Sequence, residues 1–287
     1  MKFIEKIIYI AINLLLTACL FLNKKIFLDL LISKLNKANV ATEMRSSLFL
    51  SVCELISGDF IDSKCIEKFC DITGASLHYS QEGEDIVLAR LLGERSRGFY
   101  VDVGAHHATR FSNTYALYRK GWRGLNIDAT PGSMESFCKM RPGDINLEVS
   151  ISDQKDPLVF HMFREGALNT FDSALARSYI DGGWEQKGSV EMVPKTLAQV
   201  LDEHLEAGQK IDLMNIDVEG EDLGVLKSND WNKYCPEIVI VEALDTPLTC
   251  LNENPLVAFL KIKGYVPTSR LFNSIIFRRV AGLCAAS

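Results

Sequence analysis

Acidic side chains recur in this sequence where short apolar runs stop. Asp102 follows Phe99-Tyr100-Val101, Asp128 follows Leu125-Asn126-Ile127, and Ser152-Asp153 follow Ile145–Ile151. Asp217 follows Ile211–Ile216 and precedes Val218 and Glu219, and Glu242 follows Glu237–Val241. Short apolar runs of this kind read as buried strands. In an open parallel sheet the carboxyl ends of the strands share one edge, and ligands bind there. The spacing therefore predicts an edge lined with carboxylates, which suits a cationic ligand.

The stretch FYVDVGAHHATRFSN, residues 99–113, sets the first of these ends. A strand runs into Gly104, two histidines follow, and a helix start is expected near Ser112. This is the opening unit of an α/β nucleotide-type fold. Glycine lets the backbone turn sharply and lets a ligand come close. Asp128 lies about 20 residues or slightly more beyond it, where an acid can bond a ribose diol. A pyrophosphate would need several glycines with free amides. This turn offers only Gly104, then Ala105, His106, His107 and Ala108. S-adenosylmethionine carries an ammonium, a sulfonium and a ribose diol but no phosphate, and the acid-lined edge favours it over NAD(P).

Around these ends the rest of the chain reads as supporting elements. Residues 79–85 open a helix to Leu92 with Ser80 as cap, and Gln81 or Asp85 can reach the cofactor mouth. Thr130-Pro131 reads as the next helix start. Leu158–Phe163 and Val190–Val193 read as extra strands. The loop Gly166–Phe171 between them carries Asn169 and Thr170 as substrate contacts or as the start of a helix over 172–179. Residues 181–184, Asp-Gly-Gly-Trp, form a turn that could serve as a lid. Thr196 to Gln199 is a capping box, and Asn254-Pro255 starts a late helix. Residues 265–268 and 274–277 read as a closing antiparallel hairpin. The fold class expected is α/β, with a mostly parallel, doubly wound, Rossmann-like sheet closed by that hairpin.

Hydrophobic residues at 47% and charged residues at 24% fit a globular chain of 287 residues. A net charge of −6 argues against nucleic acid as the main partner. The eight cysteines form no C-x-x-C pair, which points to reduced thiols and a cytoplasmic location. Residues 1–75 read as a helical extension, a packing or oligomerisation appendage, before a main domain at 76–287. Its apolar run at 7–22, between lysines, is about 16 residues and falls short of the roughly 20 needed to span a bilayer. It is a candidate for contact with the inner membrane face. Leu16-Thr17-Ala18-Cys19 also matches a lipoprotein cleavage pattern, against which the apolar run continues past the cysteine.

The segments SQEGEDIVL, GFYVDVGAHHATRFSNTYALY, GWRGLNIDATPGSM, LNTF and IDLMNIDVEGEDLGVLKSNDW together resemble the FkbM-type methyltransferases. Ala108 and Thr130 depart from the family pattern without removing a reactive group. The resemblance implies a class I methyltransferase sheet, S-adenosylmethionine as cofactor, and O-methylation of a hydroxyl, with a sugar or glycan as partner. With the acid pattern, it puts Asp102 and Gly104 on the methionyl end, Asp128 on the ribose, and Ser152-Asp153 on the adenine. Gln81, Ala105, Asn113, Ala129 and Asp217 complete the expected cofactor contacts. A hydroxyl acceptor needs a base; of His106, His107, Asp217 and Glu219, the expected pair is His107 and Glu219. No metal is assigned, although Asp217 and Glu219 could instead hold a divalent cation. The competing readings are an NAD(P)-dependent oxidoreductase and a non-catalytic membrane-associated scaffold.

Overall fold

The computed structural model describes residues 76–244 and 246–280. The chain divides into two units between Leu77 and His78. The expected helical extension at 1–75, with the apolar run 7–22, lies outside the described residues. Among the described residues no helix is long and apolar enough to cross a membrane.

Seven strands form one sheet: β1 (Phe99–Val103), β2 (Arg123–Asp128), β3 (Ile145–Glu148), β6 (Leu213–Ile216), β7 (Ile238–Glu242), β8 (Tyr265–Arg270) and β9 (Ser274–Arg279). Their order is β3-β2-β1-β6-β7-β9-β8. β1 pairs in parallel with β2 and β6, β2 with β3, and β6 with β7. β9 runs antiparallel to both β7 and β8, which is the expected hairpin. The chain winds outward from β1 to β3 and then returns to β6. The β1–β6 seam is therefore the switch point where α/β sheets bind ligands.

Both faces of the central strands are covered, so those strands carry apolar residues on both faces rather than alternating. Val101, Val103, Met214 and Ile216 face Leu197, Leu201, Val225 and Leu226. Tyr100, Leu213, Ile238 and Ile240 face Leu88, Leu92 and Trp122. The covering helices are α1 (Glu84–Leu92), α2 (Tyr115–Arg119), α3 (Met134–Met140), α5 (Leu197–His204), α6 (Asp222–Lys227) and α7 (Pro255–Ile262). α5 carries the expected capping box, with Thr196 accepting from the Gln199 amide at 3.2 Å. Asn254 caps α7 through the Leu256 amide at 2.8 Å.

Between β3 and α5 the chain inserts a separate antiparallel ribbon, β4 (Leu158–Phe163) with β5 (Gln186–Met192), and the helix α4 (Ser173–Asp181). β5 starts four residues before the expected Val190. α4 is capped by Asp172, whose carboxylate accepts from the amides of Ala174 and Leu175.

Three other boundaries differ from the sequence reading. β3 stops at Glu148 instead of Ile151, because β2 ends at Asp128 and only the Val149 amide still reaches Asp128, at 3.0 Å. Ile151 instead bridges Lys195 near the ribbon. Thr130-Pro131 does not start a helix: the Asp128 carboxylate takes the Thr130 amide at 2.7 Å, a turn follows, and α3 begins at Met134. α1 begins at Glu84, with the Ser80 hydroxyl accepting from the amides of Gly83 and Asp85.

Candidate active site

The turn after β1 is pressed against the end of β6. Gly104 has φ 79°, and a Cβ there would sit 1.7 Å from the Asp217 carbonyl oxygen. Only glycine permits this approach. The amides of Gly104 and Ala105 both donate to the Ile127 carbonyl, at 2.9 and 3.0 Å. The next amide, that of His106, donates to Asp128 Oδ2 at 2.8 Å. Three successive amides that a phosphate cradle would aim at a ligand are thus engaged within the protein.

A cleft opens over this turn and the ends of β2 and β6. Of the expected cofactor residues, Asp102, Gly104, Ala105 and Asn113 border it on the β1 side, and Asp128 and Ala129 on the β2 side. Gln81 and Asp217 border it too, as does the expected base Glu219. Three expected residues stand outside its wall. Ser152 is buried, its hydroxyl accepting from the Gln154 amide at 3.2 Å, and Asp153 is exposed. Val149 and Ile151 face the cavity in their place. His107 turns away, its Nδ1 accepting from the amides of Thr109 and Arg110 at 3.1 and 3.0 Å. It stiffens the loop, while its neighbour His106 borders the cavity.

The acids fall into two sets. Asp102 is buried and accepts from Asn215 Nδ2 at 2.9 Å and Thr114 Oγ1 at 2.6 Å. Asn215 in turn accepts from Asn113 Nδ2 at 2.9 Å. Burial raises the Asp102 pKa, opposed by the Thr114 hydroxyl and the Arg141 charge. Arg141 is fully buried and reaches Thr114, Asn126, Ser112 and the Ala108 carbonyl, tying the loop after β1 to the end of α3. Asp128 takes two amides, those of His106 and Thr130.

On the other side of the switch point, Asp217, Glu219 and Glu242 place carboxylate oxygens within 4.8 Å of one another. Neither Asp217 nor Glu242 accepts a side-chain hydrogen bond from any described residue. Burial, then the charges of Asp222 and Glu219, push the Asp217 pKa well above the carboxylate range. Burial, then Asp217 and Glu219, push Glu242 up to about 10. Burial raises Asp222 to about 7. Glu219 is raised by burial, opposed by the Tyr179 hydroxyl that donates to its Oε2 at 2.9 Å. Three carboxyl groups this close cannot all ionise unless a positive charge joins them. They could hold a cationic ligand group or a divalent cation with oxygen ligands.

A family model described as the methyltransferase FkbM domain matches residues 102–266. The chain belongs to the FkbM methyltransferase family. The match begins at Asp102 and takes in the cavity's β1, β2 and β6 walls together with the inserted ribbon. No curated protein matches the chain. Among solved structures, a precorrin-6y C5,15-methyltransferase from Geobacter metallireducens GS-15 is similar at 12% identity and TM-score 0.35. That likeness covers 67% of this chain and 84% of the other.

In this methyltransferase the insertion forms the outer wall of the cavity. Phe160, Phe171, Gly166 and Asn169 border it. Asn169 Nδ2 donates to Thr130 Oγ1 at 3.0 Å, and Thr170 Oγ1 donates to the Glu219 carbonyl at 2.6 Å. Asn169 and Thr170 therefore fasten the insertion to the strand ends. Trp184, in the turn read as a lid, is half-exposed and does not border the cavity. Phe111 and Asn215 also border the cavity and were not singled out from the sequence. Asn215 is a polar residue inside an otherwise apolar strand, and that signal could have found it.

Proposed function

We propose that this methyltransferase transfers a methyl group from S-adenosylmethionine to a hydroxyl, on a sugar or glycan. The observation that carries the reading is the set of unpaired carboxylates beside a turn whose amides are already bonded. Asp217 and Glu219 would face the positive end of the cofactor, which brings a methyl group already activated by its sulfonium. Asp128 retains free lone pairs for a ribose diol beside the two amides it accepts. Val149, Ile151, Phe160 and Phe171 offer an apolar wall for the flat adenine, Phe160 and Phe171 lying 4.6 Å apart between ring centroids. Ser152 and Asp153 play no direct part in it. An NAD(P) pyrophosphate would find the amides of Gly104, Ala105 and His106 already bonded and no lysine or arginine among Gly104–Ala108, and would meet the acids instead.

The protein's main work in such a displacement is alignment, which can contribute about 7–11 kcal/mol. The acceptor enters past the insertion. Its proton must also be taken. The cavity offers Glu219 and His106 for this; His107 faces elsewhere.

Calorimetry with S-adenosylhomocysteine and with NAD tests the cofactor. Binding of the first and not the second is expected, and a site at 100 times the dissociation constant gains about 2.7 kcal/mol of stability. Methyl-labelled cofactor with a glycan pool tests the acceptor: a base-resistant methyl ether is expected. A base-labile ester or a methylated amine would overturn the hydroxyl assignment. Activity lost with chelator and restored by magnesium would assign the three carboxylates to a metal.

A further inference from the structure

We propose that His106 is the catalytic base of this methyltransferase, its Nε2 taking the proton of the acceptor hydroxyl; the inference rests on the O-methylation reading above. Two costly features meet in this one residue. Its φ is 53°, in the left-handed region that residues other than glycine adopt uncommonly. Its Nε2 is buried with no hydrogen-bond partner among the described residues. Folded proteins rarely leave a buried polar atom in that state, and strain of this kind gathers at functional sites.

The ring's direction is fixed. The His106 amide is held by Asp128 at 2.8 Å, and the imidazole stacks on Phe111 with centroids 6.4 Å apart and planes 19° apart. It stands where the cofactor turn meets the insertion: a Cβ on Gly166 would lie 3.6 Å from His106 Cε1. The insertion loop that covers it is tied to the histidine's own loop by Arg110 and Glu165, at 3.2 Å. A partly exposed ion pair holds weakly, so the Glu165 end of the loop can lift to admit an acceptor while Asn169 and Thr170 hold its other end.

The charges around the ring suit a base. Burial lowers the His106 pKa, and Arg110 and His107 act in the same direction. The imidazole is therefore neutral at pH 7 with a lone pair to offer. Asp128 and Glu165 act the other way and favour the imidazolium once it forms. Glu219 is the poorer base: burial favours its protonated form, and its Oε2 already accepts the Tyr179 hydroxyl. In the step, the acceptor oxygen bonds to the methyl carbon. The carbon–sulfur electron pair stays on sulfur, giving the neutral thioether, and the hydroxyl proton moves to Nε2. The imidazolium later returns it to water.

The test uses the full chain and His106→Asn, since asparagine tolerates the left-handed backbone. The variant should bind S-adenosylhomocysteine within about threefold of wild type and transfer labelled methyl to a glycan pool about 10²–10⁴-fold more slowly. His107→Asn should stay within about tenfold, far short of a lost base. Transfer by His106→Asn within about tenfold of wild type, with binding intact, overturns the inference and leaves the O-methylation reading standing. Equal losses of binding and transfer overturn it as well, since His106 would then be a cofactor contact. A second readout needs no acceptor: imidazole ¹⁵N spectra of the S-adenosylhomocysteine complex. The expected ring carries its proton on Nδ1 and titrates below an ordinary histidine. A ring protonated on Nε2, or charged at pH 8, contradicts the assignment. Failure of wild type to bind S-adenosylhomocysteine removes the underlying reading and this inference together.

Discussion

The acids of one sheet edge behave in two opposite ways. Asp102 and Asp128, at the ends of β1 and β2, have each oxygen engaged by the protein: Asn215 and Thr114 for the first, two backbone amides for the second. Asp217 and Glu242, at the ends of β6 and β7, have no such donors and crowd Glu219. The first pair shapes the turn. The second is a crowd of carboxyl groups whose ionisation the fold opposes instead of balancing. Residues of the same type at equivalent strand ends thus divide into those whose oxygens the protein engages and those it leaves without donors.

Substitutions on the two sides should therefore differ in sign. The largest effect is expected at the seam between them. Gly104→Ala forces a Cβ onto the Asp217 carbonyl and should cost about 3–5 kcal/mol in denaturant unfolding, by steric strain at a special backbone position. Asp102→Ala leaves the buried Asn215 amide and Thr114 hydroxyl without their acceptor, at about 1–3 kcal/mol each. A melting temperature unchanged by Asp102→Ala would erase the distinction between the two sets.

Asp217→Asn should act the other way, raising the melting temperature of the ligand-free protein by a few degrees, since it replaces a buried carboxyl whose ionisation its neighbours oppose. The pH response sharpens the point. The folded pKa values on this side lie above the unfolded carboxylate value of about 4, so the native state holds more protons than the unfolded one. The corresponding stability is present below that value and is lost as pH rises through the folded values, about 7 for Asp222 and about 10 for Glu242. The ligand-free protein should melt at lower temperature at pH 9 than at pH 6, and Asp217→Asn should flatten that slope. A melting temperature that climbs from pH 6 to 9 would contradict this opposed ionisation. The smallest effect is expected for Tyr179→Phe, which keeps the ring's edge contact with Phe163 and removes the donor to Glu219. A loss of about 0.5–1.5 kcal/mol is expected in the same unfolding assay.

The strand ends and their acids were legible because burial imposes continuous apolar runs and the acids interrupt them. The closing hairpin and the caps at Thr196 and Asn254 were legible because their chemistry is local. The choice between His106 and His107 was not. It depends on a left-handed backbone at His106, an event that histidine does not announce as glycine would. Nor could the sequence show that β3 stops at Glu148, which moves Ser152 and Asp153 out of the wall and puts Val149 and Ile151 into it. Thr130 looked like a helix cap; its hydroxyl in fact receives Asn169 from 39 residues away in sequence, a contact set by the insertion's packing. The partnerless state of Asp217 and Glu242 also emerges only once every neighbouring donor is in place.

The most direct test of this division is calorimetric titration of S-adenosylmethionine into chelator-treated wild type and Asp217→Asn at pH 7.5. If Asp217 holds the positive end of the cofactor, the substitution should weaken binding about 10–100-fold, the worth of a hydrogen bond between charged groups, while the ligand-free protein becomes no less stable. Equal affinities for the two proteins would contradict that role.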